Sequence, residues 1–374
     1  MNGALPASPV RARDLGIPFD GRPGQWNAIT DVPGVEVGYQ TLIRGDAVRT
    51  GVTAIHPRGA AGAGDPVTAG FFAQNGNGEM TGLSWIEESG TFSGPVGITN
   101  THAVGVVHAG IVAWTVRHHP HLAQVWLLPV VAETWDGYLN DINGQHVTQE
   151  TAIAALEAAA TGPVAEGSVG GGTGMSCYHF KGGSGTSSRL VSHAGTDYAL
   201  GVFVQANFGS RAELTLAGLP VGRLVTADDP MATFSLAPEG SGSVIAVVGT
   251  NAPLLPGQCK ALARRVTLGL ARTGTTGSHF SGDLFLAFST GNPGAITAGA
   301  GRRAGGGTAD YDMLRFVPWG ALDPFYAAVV QATEEAVANA LVAGEDMTGR
   351  DGHRSPGLPR DQVASLFRER GYGL

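Results

Sequence analysis

Two cysteines, Cys177 and Cys259, are the whole thiol content of this 374-residue chain. They cannot build a disulfide framework or, alone, a zinc site. Charge is scarce: Asp, Glu, Lys and Arg make up 14% of residues, the net charge is −8, and no run of Lys or Arg stands out. A nucleic-acid partner would need a basic surface that this chain lacks. The longest apolar runs, such as 125–132, fall well short of the ~18 residues of a membrane span. The opening Met1-Asn2-Gly3-Ala4-Leu5-Pro6-Ala7 has no apolar stretch of the signal-peptide kind. The expectation is a cytoplasmic protein with free thiols, bound neither to membrane nor to nucleic acid. Also absent are the Gly-x-Ser-x-Gly elbow, the His-Glu-x-x-His zinc motif and the phosphate loop.

Glycine, in contrast, is abundant. There are 58 glycines, roughly twice the usual share of ~7%. They follow no triplet period and alternate with apolar runs, so neither collagen nor disorder fits. Short apolar segments at 35–39, 51–55, 70–73, 95–100, 198–207, 243–249 and 283–289 predict strands. The run 124–131 predicts a strand buried on both faces. Helices are predicted at 104–117, at 148–160 with Thr148 as cap, at 256–272 and from Asp323 to about Val342, where Gly344 closes the last. In the third, Cys259, Leu262, Val266 and Leu270 form one stripe. This mixture predicts a layered α/β or α+β fold, read here as a single catalytic domain over 1–374.

Several residues invite chemistry and have simpler readings. Gly170-Gly171-Gly172-Thr173-Gly174 lacks the preceding strand of a dinucleotide loop, so close passage of backbones is the simpler reading. His118, His119 and His121 surround a helix end, where cations are favourable without a metal. Cys259 lies on an apolar helix stripe, and Cys177 has no evident activating partner. Residues 220–242 are rich in turn formers and read as an exposed connector. It runs straight into the strand that Ser243 begins. There the Ser243 hydroxyl can attack the carbonyl of Gly242, converting the peptide to an ester that water then cuts. The freed α-amine, with a reference pKa of about 7.7–8.0, would lie beside its own hydroxyl.

Longer motifs add to this. Asn75-Gly76-Asn77-Gly78-Glu79-Met80-Thr81-Gly82 is followed by Trp85-Ile86-Glu87-Glu88-Ser89-Gly90 and by Glu133-Thr134-Trp135-Asp136-Gly137-Tyr138-Leu139-Asn140-Asp141. Then come the 170–175 glycines, Asn251-Ala252-Pro253-Leu254 and Ser281-Gly282-Asp283. In this order the series resembles the self-processing N-terminal serine aminopeptidases, which include D-aminopeptidase/esterases and β-peptidyl aminopeptidases. The resemblance extends from about Gly16 to Gly352.

The resemblance implies a four-layer αββα sandwich like that of N-terminal nucleophile hydrolases, with different connectivity. It implies one inactive chain cut at Gly242–Ser243 into an α chain (1–242) and a β chain (243–374). It further implies removal of N-terminal residues from peptides, amides and esters, with L-, D- or β-amino acids accepted by different members. Tetramers of the cut heterodimer are expected, with no metal and no cofactor. Ser243 matches the nucleophile, and Ser281 and Asp283 match an assisting serine and acid. Asn207 matches an oxyanion-hole side chain, Tyr138 a tyrosine lining the site, and Glu133 the carboxylate that holds the substrate ammonium. The acid is often glutamate in members that cleave β-peptides; here it is the shorter Asp283, which leaves the backbone preference open. Both the new α-amine and the Ser281–Asp283 pair are chemically suited to act as base. The alternative function is acyl transfer, as in the self-cutting ornithine acetyltransferases, although those use a threonine where this chain has Ser243.

Overall fold

The computed structural model describes residues 10–124, 126–234, 242–296 and 311–372. In chain order the strands that matter here are β1 (Glu36–Arg44), β2 (Val48–His56), β3 (Val67–Ala73), β4 (Thr91–Phe92), β5 (Val96–Asn100) and β6 (Val130–Thr134). They continue with β7 (Ser176–Cys177), β8 (Phe180–Lys181), β9 (Gly183–His193), β10 (Thr196–Asn207), β11 (Gly242–Thr250) and β12 (Ser281–Ser289). The helices are α1 (Leu83–Ser89), α2 (Val104–His118), α3 (Gln149–Glu157), α4 (Val221–Leu224), α5 (Pro256–Arg272), α6 (Asp323–Ala343) and α7 (Arg360–Arg368). One sheet has the order β1-β2-β5-β6, the other β4-β3-β12-β11-β10-β9, and β7 and β8 form a small hairpin of their own.

Period-two alternation explains how the layers stack. In β11, Ile245 and Val247 join Phe203, Leu286, Ile55, Ile98 and Val130 in a buried layer between the two sheets. Val244, Ala246 and Val248 point the other way, into a core with Leu262 and Val266 of α5 and Val329, Ala336 and Val337 of α6. On the far side, Val52, Ala54 and Val131 pack against Val107, Ile111 and Trp114 of α2 and Ala152 and Leu156 of α3. The result is an αββα sandwich. A strand buried on both faces must be apolar throughout, which is why 244–248 reads as an unbroken run. Each fully buried Val, Ile or Phe contributes about 1.5–3 kcal/mol.

Most of the predicted elements form. The run 124–131 does not form one strand: β6 begins only at Val130, which pairs with Val96. Pro129 has no N–H for the ladder, so the residues before it leave the sheet. Trp126 is 83% exposed there, and Val125 lies outside the described residues. Asp323 is the first residue of α6, and Leu322 holds the cap position. Of the connector, 220–234 includes α4 and an ion pair from Asp229 to His179; residues 235–241 lie outside the described residues. The 170–174 glycines let backbones meet: a Cβ on Gly171 would lie 2.2 Å from Gln205 Oε1 and 2.6 Å from the Ile98 carbonyl oxygen.

Candidate active site

Ser243 is the second residue of β11, where the chain enters the buried centre of the larger sheet. It faces Asn207 across the antiparallel pair with β10 and lies beside Gly282 of the parallel strand β12. Only 4% of Ser243 is exposed. Its Oγ donates to the carbonyl oxygen of Gly242 at 2.7 Å, and the Gly282 N–H is directed at the same Oγ at 3.4 Å. The hydroxyl therefore rests against the peptide bond that precedes it. No side chain fits at 242, because a Cβ there would meet the Asn207 carbonyl oxygen at 2.0 Å.

The Asn207 amide is oriented from both ends. Oδ1 accepts from the Ser176 N–H at 2.9 Å, and Nδ2 donates to the Trp135 carbonyl at 2.8 Å. This leaves the second amide hydrogen as a donor on the same sheet face as Ser243. It is suited to an oxygen that gains charge when a carbonyl is attacked.

Ser281 and Asp283 form a pair on β12. Ser281 Oγ donates to Asp283 Oδ1 at 2.5 Å, and Asn75 Nδ2 donates to the other oxygen at 3.0 Å. Burial pushes the Asp283 carboxyl above the usual aspartate range, partly offset by these donors and by the Val244 N–H next to the serine. Among the described residues, no hydrogen bond joins this pair to the Ser243 hydroxyl; the register sets Ser281 beside Gly242 and Asp283 beside Val244, on either side of Gly282, the partner of Ser243.

Glu133, in β6 of the facing sheet, is 2% exposed. Its oxygens accept from the Glu79 N–H at 2.9 Å and from the Thr101 hydroxyl. Burial raises its pKa, opposed by those two donors. The 75–79 turn lies between it and Gly282, the strand partner of Ser243. A Cβ on Gly78 would sit 2.9 Å from Gly282 Cα and 3.1 Å from Glu133 Oε1.

Tyr138 follows β6 on the turn that carries Trp135. Its hydroxyl donates to the Arg354 carbonyl at 3.0 Å, and its ring stacks on His353 at 4.8 Å and meets Phe234 edge-on at 4.9 Å. Burial raises its pKa, and that hydroxyl hydrogen is already engaged by backbone.

Sequence reasoning missed Asn75, Thr101 and Ser176 as parts of the site. Asn75 holds Asp283 twice, its Oδ1 also accepting the Asp283 N–H at 2.7 Å. Asn-Gly-Asn-Gly reads as a turn and carries no local sign of a partner some 200 residues on. Both cysteines are fully buried, which raises their thiol pKa values, that of Cys259 to about 12. Neither is a nucleophile in this state.

Residues 27–355 match Peptidase family S58. The chain is 46% identical to a beta-peptidyl aminopeptidase of Sphingosinicella microcystinivorans, with 99% of this chain and 94% of that protein covered. Among solved structures, a beta-aminopeptidase from a Burkholderia species has a TM-score of 0.88 at 45% identity, covering 98% of this chain and 100% of that one. The L-aminopeptidase D-Ala-esterase/amidase of Ochrobactrum anthropi has a TM-score of 0.90 at 44% identity, covering 97% and 99%. It is described as a prototype for the serine aminopeptidases and as a new variant among the N-terminal nucleophile hydrolase folds.

Proposed function

The chain belongs to peptidase family S58 and is a serine aminopeptidase, and from that premise we propose that it activates itself by cutting Gly242–Ser243 and then uses Ser243 as its nucleophile. The observation that carries this reading is the Ser243 hydroxyl resting 2.7 Å from the Gly242 carbonyl oxygen, opposite a donor amide.

In the first cut, Ser243 Oγ bonds to the Gly242 carbonyl carbon and gives up its proton. The C–N bond to Ser243 breaks, and its nitrogen takes a proton. Water then hydrolyses the resulting ester, leaving a Gly242 carboxylate and a Ser243 with free amine and free hydroxyl. The α-amine does not exist before this cut, so the base must be a group already present. Asp283, reached through Ser281, is the carboxylate beside β11, and its raised pKa makes it a better base than an ordinary aspartate. In the cut enzyme, the α-amine stands next to the hydroxyl it activates.

The same groups then act on substrate. Ser243 Oγ attacks the scissile carbonyl to form an acyl-enzyme. Asn207 donates to the developing oxyanion, and Glu133 binds the substrate ammonium, which confines cleavage to N-terminal residues. Tyr138, with Phe234 and His353, walls the site. Peptides, amides and esters are the substrate class. The matches to aminopeptidases do not favour the acyl-transfer alternative. Assembly of the cut heterodimers into a tetramer is part of the same proposal. The test is Ser243→Ala beside wild type on a denaturing gel with a peptidase assay. The variant is expected to run as one band and be inactive. A fully active Ser243→Ala protein would overturn the proposal.

A further inference from the structure

Lys181 is a buried amine with no part in the chemistry above. It is 0% exposed, and among the described residues no carboxylate pairs with it. Its Nζ donates to the carbonyls of Met175 at 2.7 Å and Gly182 at 2.9 Å, and reaches that of Gly172 at 3.5 Å. Burial pulls its pKa down to about 7. Burying an ammonium without a counter-ion is costly, so the three converging carbonyls mark a place where backbone is held at some expense.

Two of those carbonyls, of Met175 and Gly182, flank the β7–β8 hairpin at its base, where Lys181 pairs with Ser176, and the third belongs to the glycine segment before it. The hairpin's two-residue turn, Tyr178-His179, has φ of 53° and 58°. Such turns ordinarily take Gly or Asn, and larger side chains there are strained. The strain is held from several sides. Tyr178 N–H donates to the Phe208 carbonyl at 2.7 Å, and its hydroxyl bonds Thr273 Oγ1 at 2.7 Å. Arg211 donates to the carbonyls of Tyr178 at 3.2 Å and His179 at 2.7 Å. The first residue of this hairpin is Ser176, whose N–H holds Asn207 Oδ1.

We infer that Lys181 is a positioning residue for catalysis: it fixes the β7–β8 hairpin so that the Ser176 N–H locks the Asn207 amide with its nitrogen, not its oxygen, toward Ser243. An amide free to turn over would present its carbonyl oxygen to the oxyanion and repel it. The inference rests on the reading of Asn207 as an oxyanion donor. Lys181 acts on the reaction only through Asn207, so removing both must cost no more than removing Asn207.

The experiment is a double-mutant cycle of Lys181→Met and Asn207→Ala, with kcat expressed per active serine counted by acyl-enzyme titration. Lys181→Met is expected to lower kcat about 10- to 100-fold, the scale of a small misplacement in a site. KM should change less than about twofold, since a group acting only in the transition state leaves substrate binding alone. The double variant should stay within about threefold of Asn207→Ala alone. Losses that multiply, or full kcat in Lys181→Met, would overturn the inference while leaving the role of Asn207 intact. Full kcat in Asn207→Ala would remove the oxyanion role itself and the inference with it. If Lys181→Met does not fold, Lys181→Gln, which keeps a neutral donor, takes its place in the cycle with the same expected non-additivity.

Discussion

Asn207 and Ser243 are direct partners across the antiparallel strands β10 and β11. Their side chains leave the same face of the sheet, and the Asn207 amide is held between the Ser176 N–H and the Trp135 carbonyl. One strand thus supplies the hydroxyl and its neighbour the donor, with positions set by sheet register instead of by a mobile loop.

Replacing Asn207 by alanine should lower kcat of the cut enzyme by about 10²–10³ and leave KM nearly unchanged, because the lost donor matters only when charge develops on oxygen. Steady-state kinetics on an aminoacyl amide checks this. A raised KM with normal kcat would assign Asn207 to ground-state binding.

Glu133→Gln should harm substrates with a free amine far more than their N-acetylated forms. Burial raises the Glu133 pKa, so the wild-type carboxylate loses its charge at a higher pH than an ordinary glutamate. The kcat/KM for free-amine substrates should therefore fall, as pH drops, before the usual range of about 4.3 is reached. The variant should lack this acid limb. An equal proportional loss on both substrates would contradict the anchoring role.

Much of the fold is legible locally. The stripe through Cys259, Leu262, Val266 and Leu270 marks α5, and the run after Ser243 marks β11, because helix and strand periods are written in neighbouring residues. Pro129 carries the signal that shortens β6, although the apolar residues around it read as one longer strand. The site is less legible. Ser243 stands out by its place between a turn-rich connector and a strand, whereas Asn207, Tyr138 and Glu133 gained roles only through a resemblance spanning the chain. Asn75 and Ser176 make their contacts with distant residues. A polar residue in a glycine-rich turn looks the same whether it faces water or a catalytic pair.

Asp136 offers a test independent of catalysis. It is fully buried, Asn140 donates to its Oδ1 at 3.0 Å, and the Thr50 and Asn100 side chains also act on the carboxyl. Burial raises its pKa to about 7. Between about pH 4 and 7 the folded chain holds a proton there that the unfolded chain has released, so this group's contribution to stability falls as pH rises through that window. Asp136→Asn should be more stable than wild type at pH 8, by at most about 4 kcal/mol, and no more stable at pH 4. Thermal melts of both proteins at the two pH values decide it, and an advantage confined to pH 4 would refute the assignment.

The central claim is that the chain cuts itself before Ser243, and N-terminal sequencing of the small fragment from purified wild-type protein tests it most directly. The 38.2 kDa chain should yield pieces of about 25 and 13 kDa, formed by attack of its own hydroxyl. The smaller should begin Ser243-Val244-Ile245-Ala246. A small fragment starting at any other residue, or an uncut chain with full peptidase activity, would contradict it.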